Sequence, residues 1–322
     1  MNSDRNTIII KYIKCKNKKM LLSEINKGTD KQPHICASIG NIEISKVISV
    51  MEHAANNNFS CVEIRFDLLI NLQEELLFSK YLPEIISYGE KFNLPIIATR
   101  RNISNTDGIA NFNGINMNNG INMNKETRND CKNYTANTAN TASIAQNTAE
   151  YKLEAINNKL SFLKKLIDGG IKAVDIEQDV IDNRLIAEFI EFAHSKNSEV
   201  ILSVHNFNSF INIKKAMQFY IEASYLNADF FKMAALISSK QEMLDILSIC
   251  NKINEVKNSD IENYPEFIIF GMGDKGRLTR ILSLNYGSFL SYCSINDVLS
   301  TAPGQVDINT FNRIYESCNS VA

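Results

Sequence analysis

The sequence predicts an α/β protein built as a (β/α)8 barrel, a TIM barrel, with an N-terminal arm or hairpin. Three observations lead there. From residue 34 onward short apolar runs alternate with amphipathic stretches of helical period, the apolar runs number eight, and 322 residues suffice for one such barrel without a second core. Strand followed by helix, repeated, implies parallel strands joined by right-handed crossovers, and eight is the count at which such a sheet closes. A doubly wound open sheet is the alternative.

Residues 1–32 make the arm: Thr7-Ile8-Ile9-Ile10, then lysines at 11, 14, 16, 18 and 19 and a polar stretch, which reads as a cap with a solvated basic face. Strands are expected at 34–39, 61–66, 95–99, 171–176, 200–204, 229–233, 267–270 and 288–293. Helices are expected between them at 43–57, 72–91, 151–167, 182–196, 209–222, 239–252 and 275–285, with a last one near 308–318. Residues 102–150 break the alternation. They hold 14 asparagines in 49 residues and carry Asn-Gly-Ile-Asn-Met-Asn twice in succession, at 113–118 and 119–124. With no sustained apolar period, the segment reads as a disordered insertion. The 101 residues before it contain only three core strands, so residues 33–322 are expected to form a single interrupted barrel.

Composition narrows the function. Lys plus Arg number 34 against 36 Asp plus Glu, a net charge of -2 that provides no field for nucleic acid or an anionic membrane. No run approaches the ~18 apolar residues of a membrane span, and the N-terminus lacks a signal peptide's apolar segment, so a cytoplasmic protein is expected. Seven scattered cysteines without a C-x-x-C pair and four histidines without ligand spacing suggest reduced thiols and no metal site.

In a parallel barrel the reactive groups lie at the carboxyl ends of the strands. Strand two ends in Val62-Glu63-Ile64-Arg65-Phe66-Asp67, and side-chain alternation puts Glu63, Arg65 and Asp67 on one face. With the apolar set packed on helices, the charged set looks into the barrel. Strand three ends in Thr99-Arg100-Arg101, and strand four in Asp175-Ile176-Glu177, with acids again two apart. Singly, each reads as a structural ion pair or a solvated charge; recurrence at one end of several strands points to a site. Strand five terminates in His205, and strand six carries Lys232 amid Phe230, Phe231, Met233 and Ala234. A lone lysine there either snorkels or, buried on both sides, loses water; desolvation disfavours the ammonium and leaves some neutral amine able to attack a ketone. On neighbouring strands ~4.8 Å apart, His205 would move protons next to an imine on Lys232. Gly271-Met272-Gly273 with Gly276 and Arg280 follows strand seven, and Thr301-Ala302-Pro303-Gly304-Gln305 follows strand eight. Such turns form anion sites in barrels and read equally as tight turns.

These segments, in order, resemble the type I 3-dehydroquinate dehydratases: Glu63-Ile64-Arg65, Thr99-Arg100, Val174-Asp175-Ile176-Glu177, Ser203-Val204-His205-Asn206-Phe207, Lys232, Gly271-Met272-Gly273 with Arg280, and Ala302-Pro303-Gly304-Gln305. The resemblance spans roughly residues 34–318. It implies a metal-free and cofactor-free lyase, a hydro-lyase of the shikimate pathway. Lys232 would form an imine with the C3 ketone of 3-dehydroquinate. His205 would remove a C2 proton and then protonate the departing C1 hydroxyl, and hydrolysis would release 3-dehydroshikimate, the third step toward chorismate and the aromatic amino acids. Glu63, Arg65, Arg100, Arg280, Thr301 and Gln305 match substrate-binding positions, with Arg280 as carboxylate partner, and Ser38 is a weaker match. The family also implies a homodimer. One departure stands out: the family's glutamate followed by two glycines after the strand-three arginine is absent. Ser104 stands four residues past Arg100, and the nearest acid is Asp107, followed by Gly108; Asp107 is therefore the candidate for orienting the histidine. A weakened histidine partner, with an insertion beside the lid, predicts reduced turnover. Two other readings stay open. One is another Schiff-base barrel of the class I aldolase kind; the other is a weakened paralogue that binds a shikimate-type ligand or a partner protein.

Overall fold

The computed structural model describes residues 21–25, 33–101, 138–258, 264–295, 301–302 and 304–319. The chain divides into two compact units, Met1–Arg101 with Leu160–Ala322, and Asn102–Lys159. The N-terminal arm expected at 1–32 lies outside the described residues apart from 21–25, and so do Asp107, Pro303 and the Asn-rich repeats up to residue 137.

In the larger unit, strands and helices alternate: β1 (Ile35–Ile39), α1 (Val47–Asn56), β2 (Cys61–Arg65), α2 (Leu82–Phe92), β3 (Ile96–Thr99), then, after the break, β4 (Ala173–Glu177), α4 (Asn183–Ser195), β5 (Glu199–Asn206), α5 (Ile213–Tyr225), β6 (Phe230–Leu236), α6 (Lys240–Lys257), β7 (Glu266–Met272), α7 (Thr279–Asn285), β8 (Ser291–Ser294), β9 (Val306–Asp307) and α8 (Ile308–Asn319). The helix between β3 and β4, α3, runs Thr138–Asp168 and joins the two units in sequence. It begins well before the expected residue 151. Alanines at 139, 142, 145 and 149 supply helix propensity that an asparagine count conceals. Side-chain caps open the later helices: Asp182 accepts from Arg184 N, Asn212 from Lys215 N, and Ser239 forms a capping box with Glu242.

The strands are all parallel and ordered β7-β6-β5-β4-β3-β2-β1-β8-β9, a curled sheet in the order of a (β/α)8 barrel. At the β7/β8 seam Phe289 N donates to Phe267 O at 2.7 Å and Ile269 N donates to Ser288 Oγ at 3.1 Å, in place of a regular ladder. The ninth strand is only two residues long, too short to announce itself as an apolar run. Among the described residues no helix is long and apolar enough to cross a membrane.

Strand alternation sorts the side chains. One set, including Val62, Ile64, Val174, Ile176, Val200, Leu202, Phe231 and Met233, is fully buried, as apolar side chains of an outer face under the helices should be. The other set faces inward and changes character along the strands. At the amino ends Cys36, Cys61, Ile97, Ala173, Ile201, Phe230 and Ile268 form an apolar floor, into which Leu22 packs. Two residues further along, the same strands carry Ser38, Glu63, Thr99, Asp175, Ser203 and Lys232, all buried. The turn bearing Leu22 is held by Glu199, whose carboxylate accepts from Leu22 N at 2.5 Å and Ser23 N at 3.2 Å.

The loops at the carboxyl end interlock through glycine. Gly304 has φ +72°, and a Cβ there would run into the backbone carbonyl of Gly273, itself at φ +75°. Only a residue without a side chain lets the loop of Thr301 and Gln305 rest on the turn after β7. Gly304→Ala is expected to destabilise the protein by about 1–3 kcal/mol, read as a lowered midpoint in denaturant unfolding; an unchanged midpoint would show that the two loops are not packed this way.

Candidate active site

Lys232 sits at the middle of β6, paired in register with Ser203 of β5 and Ile268 of β7, and is 2% exposed. Its Nζ donates to Glu63 Oε1 at 3.1 Å and to Asp175 Oδ2 at 2.9 Å, and lies 3.9 Å from the centroid of the Tyr292 ring. The lysine is therefore buried as its sequence context requires, but between two carboxylates rather than in a purely apolar pocket.

Each carboxylate is held in turn. Glu63 accepts from Ser38 Oγ at 3.0 Å and Thr99 Oγ1 at 2.9 Å, and Thr301 Oγ1 donates to Ser38 Oγ at 2.6 Å. Asp175 accepts from Ser203 Oγ at 2.5 Å and Arg101 Nη2 at 3.3 Å, while Arg101 Nη1 stands 3.9 Å from Glu177 Oε1. Burial opposes ionisation of both acids, but the positive charges of Lys232 and Arg101 outweigh it and hold both carboxyls below the usual range. The interior thus carries two cations and two anions in contact.

His205 lies two residues beyond Ser203 on β5, opposite Ala234 of β6, and so faces the same way as Lys232 from the adjoining strand. Its Nε2 is buried without a hydrogen-bond partner among the described residues, and its ring stacks on Phe207, centroids 6.1 Å apart. Burial, then the charges of Arg101 and Lys232, depress its pKa well below the ordinary imidazole value, against the pull of Asp175. It is a neutral imidazole at pH 7, able to take a proton.

A cavity of about 240 Å³ joins these groups, lined among others by Ser38, Glu63, Arg65, His205, Lys232, Arg280, Thr301 and Gln305. Of the residues singled out from the sequence, all eight of these come together. Arg280 is 1% exposed, with its guanidinium 4.4 Å from the Phe270 centroid, and burial brings its pKa down to about 10. Arg65 forms a two-pronged pair with Asp67, Nε–Oδ1 3.0 Å and Nη2–Oδ2 2.7 Å. Gln305 Oε1 accepts from Thr301 N at 2.9 Å. Arg100 is placed elsewhere: it stacks on Phe162 at 4.3 Å and pairs with Glu74 at 3.5 Å, its side chain 36% exposed, and Arg101 lines the cavity instead. The reason is strand parity. Thr99 points inward to Glu63, so the next inward position is 101, and residue 100 points to the helices. The same two-residue rule, applied to Asp175 and Glu177, would also have marked Asp175 as a partner of the lysine.

Comparison with known proteins agrees with this geometry. The model of the type I 3-dehydroquinase family matches residues 35–320. The 3-dehydroquinate dehydratase of Methanocaldococcus jannaschii is 36% identical over 158 residues, 49% of this chain and 66% of that protein, so the chain aligns with just under two thirds of that relative. The one of Methanococcus vannielii is 33% identical over 162 residues, 50% of this chain and 68% of that protein. Among solved structures, the 3-dehydroquinate dehydratase of Geobacillus kaustophilus superposes with a TM-score of 0.63 at 20% identity, covering 91% of this chain and 93% of that one, which speaks to the fold. Since the family match runs from the first strand of the barrel through its last helix, taking in every residue that lines the cavity, the chain belongs to the type I 3-dehydroquinase family.

Proposed function

We propose that the protein dehydrates 3-dehydroquinate to 3-dehydroshikimate through an imine on Lys232, in the shikimate pathway. The observation that carries this reading is the buried lysine, paired with two carboxylates, that shares one cavity with a neutral histidine from the adjoining strand. Lys232 first gives up one proton to solvent, the free amine attacks the C3 ketone, and the oxygen leaves as water after taking one hydrogen from the nitrogen and one proton from solvent, giving a protonated imine. His205 removes a proton from C2, and the electron pair moves toward the imine nitrogen. The imidazolium then returns a proton to the C1 hydroxyl as its bond to carbon breaks, and hydrolysis of the imine frees product and lysine.

The remaining residues hold the ring. Arg280 suits the substrate carboxylate, because its planar fork pairs with it at two points, and the ring of Phe270 packs against that fork. Ser38, Glu63, Arg65, Arg101, Thr301 and Gln305 surround the cavity with groups for hydroxyls. The same reading includes Asp107 as the acid that orients His205, a single barrel over 33–322 interrupted by 102–150, and a homodimer in the cytoplasm.

Incubation with 3-dehydroquinate and borohydride is expected to fix a reduced adduct on the Lys232 peptide, and Lys232→Ala to lose both adduct and turnover. An adduct on another lysine, or product formation by Lys232→Ala, contradicts the reading.

The two arginines of the third loop separate cleanly. Arg101→Met is expected to lower kcat/KM by about a hundredfold or more, since it strips a buried charge from Asp175, whereas Arg100→Met should leave it nearly unchanged. The acid limb of kcat/KM reports His205. Activity is full where the imidazole is neutral and falls as pH drops through its depressed pKa, so the limb should lie below the ordinary histidine range. Removing the Arg101 charge raises that pKa and should move the limb of the residual activity to higher pH; a limb that stays put would remove Arg101 from the control of His205.

A further inference from the structure

Tyr292 has a role that the scheme above leaves unused. It stands on β8, with its ring against Lys232 Nζ at 3.9 Å and tilted at 52° to the ring of Phe270, centroids 5.8 Å apart. The residue is 3% exposed and lines the cavity, yet its hydroxyl is buried without a hydrogen-bond partner among the described residues. A buried hydroxyl left unpaired is costly, and a phenylalanine would fill the same space without that cost. Every neighbouring acid already has its donors: Glu63 takes Ser38, Thr99 and Lys232, and Asp175 takes Ser203, Arg101 and Lys232. The hydroxyl is thus a donor without a partner among the described residues, carried by a ring that packs against the nitrogen at which an oxygen enters and leaves.

We propose that the Tyr292 hydroxyl donates a hydrogen bond to the oxygen carried by the carbon bonded to Lys232 Nζ, and so assists formation and hydrolysis of the imine. When the neutral amine adds to a carbonyl, the N–C bond forms and the π pair moves to oxygen. That oxygen takes one hydrogen from the nitrogen and one proton from solvent, then leaves as water while the nitrogen lone pair closes the C=N bond. Tyr292 gives up no proton in this sequence; it stabilises the oxygen while charge develops there. Burial and the surrounding carboxylates push its pKa well up, which keeps the phenol in its donating form throughout.

The proposal rests on Lys232 forming imines, as in the reading above, and can be tested apart from the dehydratase reaction. The full-length protein is treated with glyoxylate and cyanoborohydride, and the rate of adduct formation on the Lys232 peptide is compared between wild type and Tyr292→Phe. The variant keeps the ring against the lysine and loses only the hydroxyl. The expected result is about a tenfold slower adduct formation, with thermal stability unchanged or higher, because an unpaired polar group has been removed from the interior. With 3-dehydroquinate, kcat should fall by a similar factor and KM should hardly move. Equal adduct rates in the two proteins, or a loss of rate that follows a loss of stability, overturn the proposal. A wild type that captures glyoxylate on Lys232 but leaves 3-dehydroquinate intact overturns the dehydratase reading alone. Conversion of 3-dehydroquinate by both proteins at the same rate overturns the role of Tyr292 alone.

Discussion

The contact of one ammonium with two carboxylates inside a barrel organises everything around it. A charge taken out of water is expensive, and removing one member of such a buried pair costs about 3–5 kcal/mol. Lys232 alone inside the sheet would be untenable; Glu63 and Asp175 on either side make it possible, and Arg101 balances the second negative charge. The hydroxyls of Ser38, Thr99 and Ser203 complete the coordination of the acids and tie β1, β3 and β5 to the lysine strand. The arrangement also suits the chemistry proposed for it. A protonated imine carries the same unit charge on the same nitrogen as the resting ammonium, so the carboxylates that hold one are already placed to hold the other, with little reorganisation when the bond forms.

That cluster can exist because the interior is divided along the strands. The floor of Cys36, Cys61, Ile97, Ala173, Ile201 and Phe230, with Leu22 packed into it from the amino end, keeps water from reaching the charges from below. Glu199 anchors the turn of Leu22 by accepting its backbone N–H groups, so a segment remote from the site in sequence takes part in keeping it dry. At the other end the Gly273–Gly304 contact sets the height of the loop that carries Thr301 and Gln305. Stability is thus assigned to the amino ends of the strands and reactivity to the carboxyl ends, the division expected of parallel barrels.

How much of this is legible in the sequence follows from what each signal measures. Apolar runs report burial, and every long strand is buried on its outer face, so all eight were visible, including Val62-Glu63-Ile64, where charge and hydrophobe alternate. β9 was invisible because two residues show no period, and the start of α3 was hidden because asparagine content masked the alanines among which it is spaced. Within the site, His205 and Lys232 stood out as single polar groups in apolar surroundings. The family resemblance aligns with Arg100, whereas strand parity counted from Glu63 and Thr99 selects Arg101. Tyr292 gave no signal at all: an aromatic in a strand is ordinary core, and only the unsatisfied hydroxyl, a property of three-dimensional surroundings, distinguishes it.

The cations that stabilise the acids also set the strength of the base. Arg101 and Lys232 sit close enough to His205 to add to the effect of burial on its imidazole. A depressed pKa makes His205 a weaker base for the first proton transfer of the proposed reaction, a loss offset by the imine, whose positive charge acidifies the adjacent C–H bond. The same depression makes the imidazolium, once formed, a stronger acid, and the second transfer needs one, because hydroxide is a poor leaving group and departs readily only as water. A histidine tuned upward by a close carboxylate would serve the first step better and the second worse. The charges that surround Lys232 therefore place the difficulty of the two transfers where the imine can relieve it, and the geometry that buries the amine is the same geometry that sets the histidine between its two tasks.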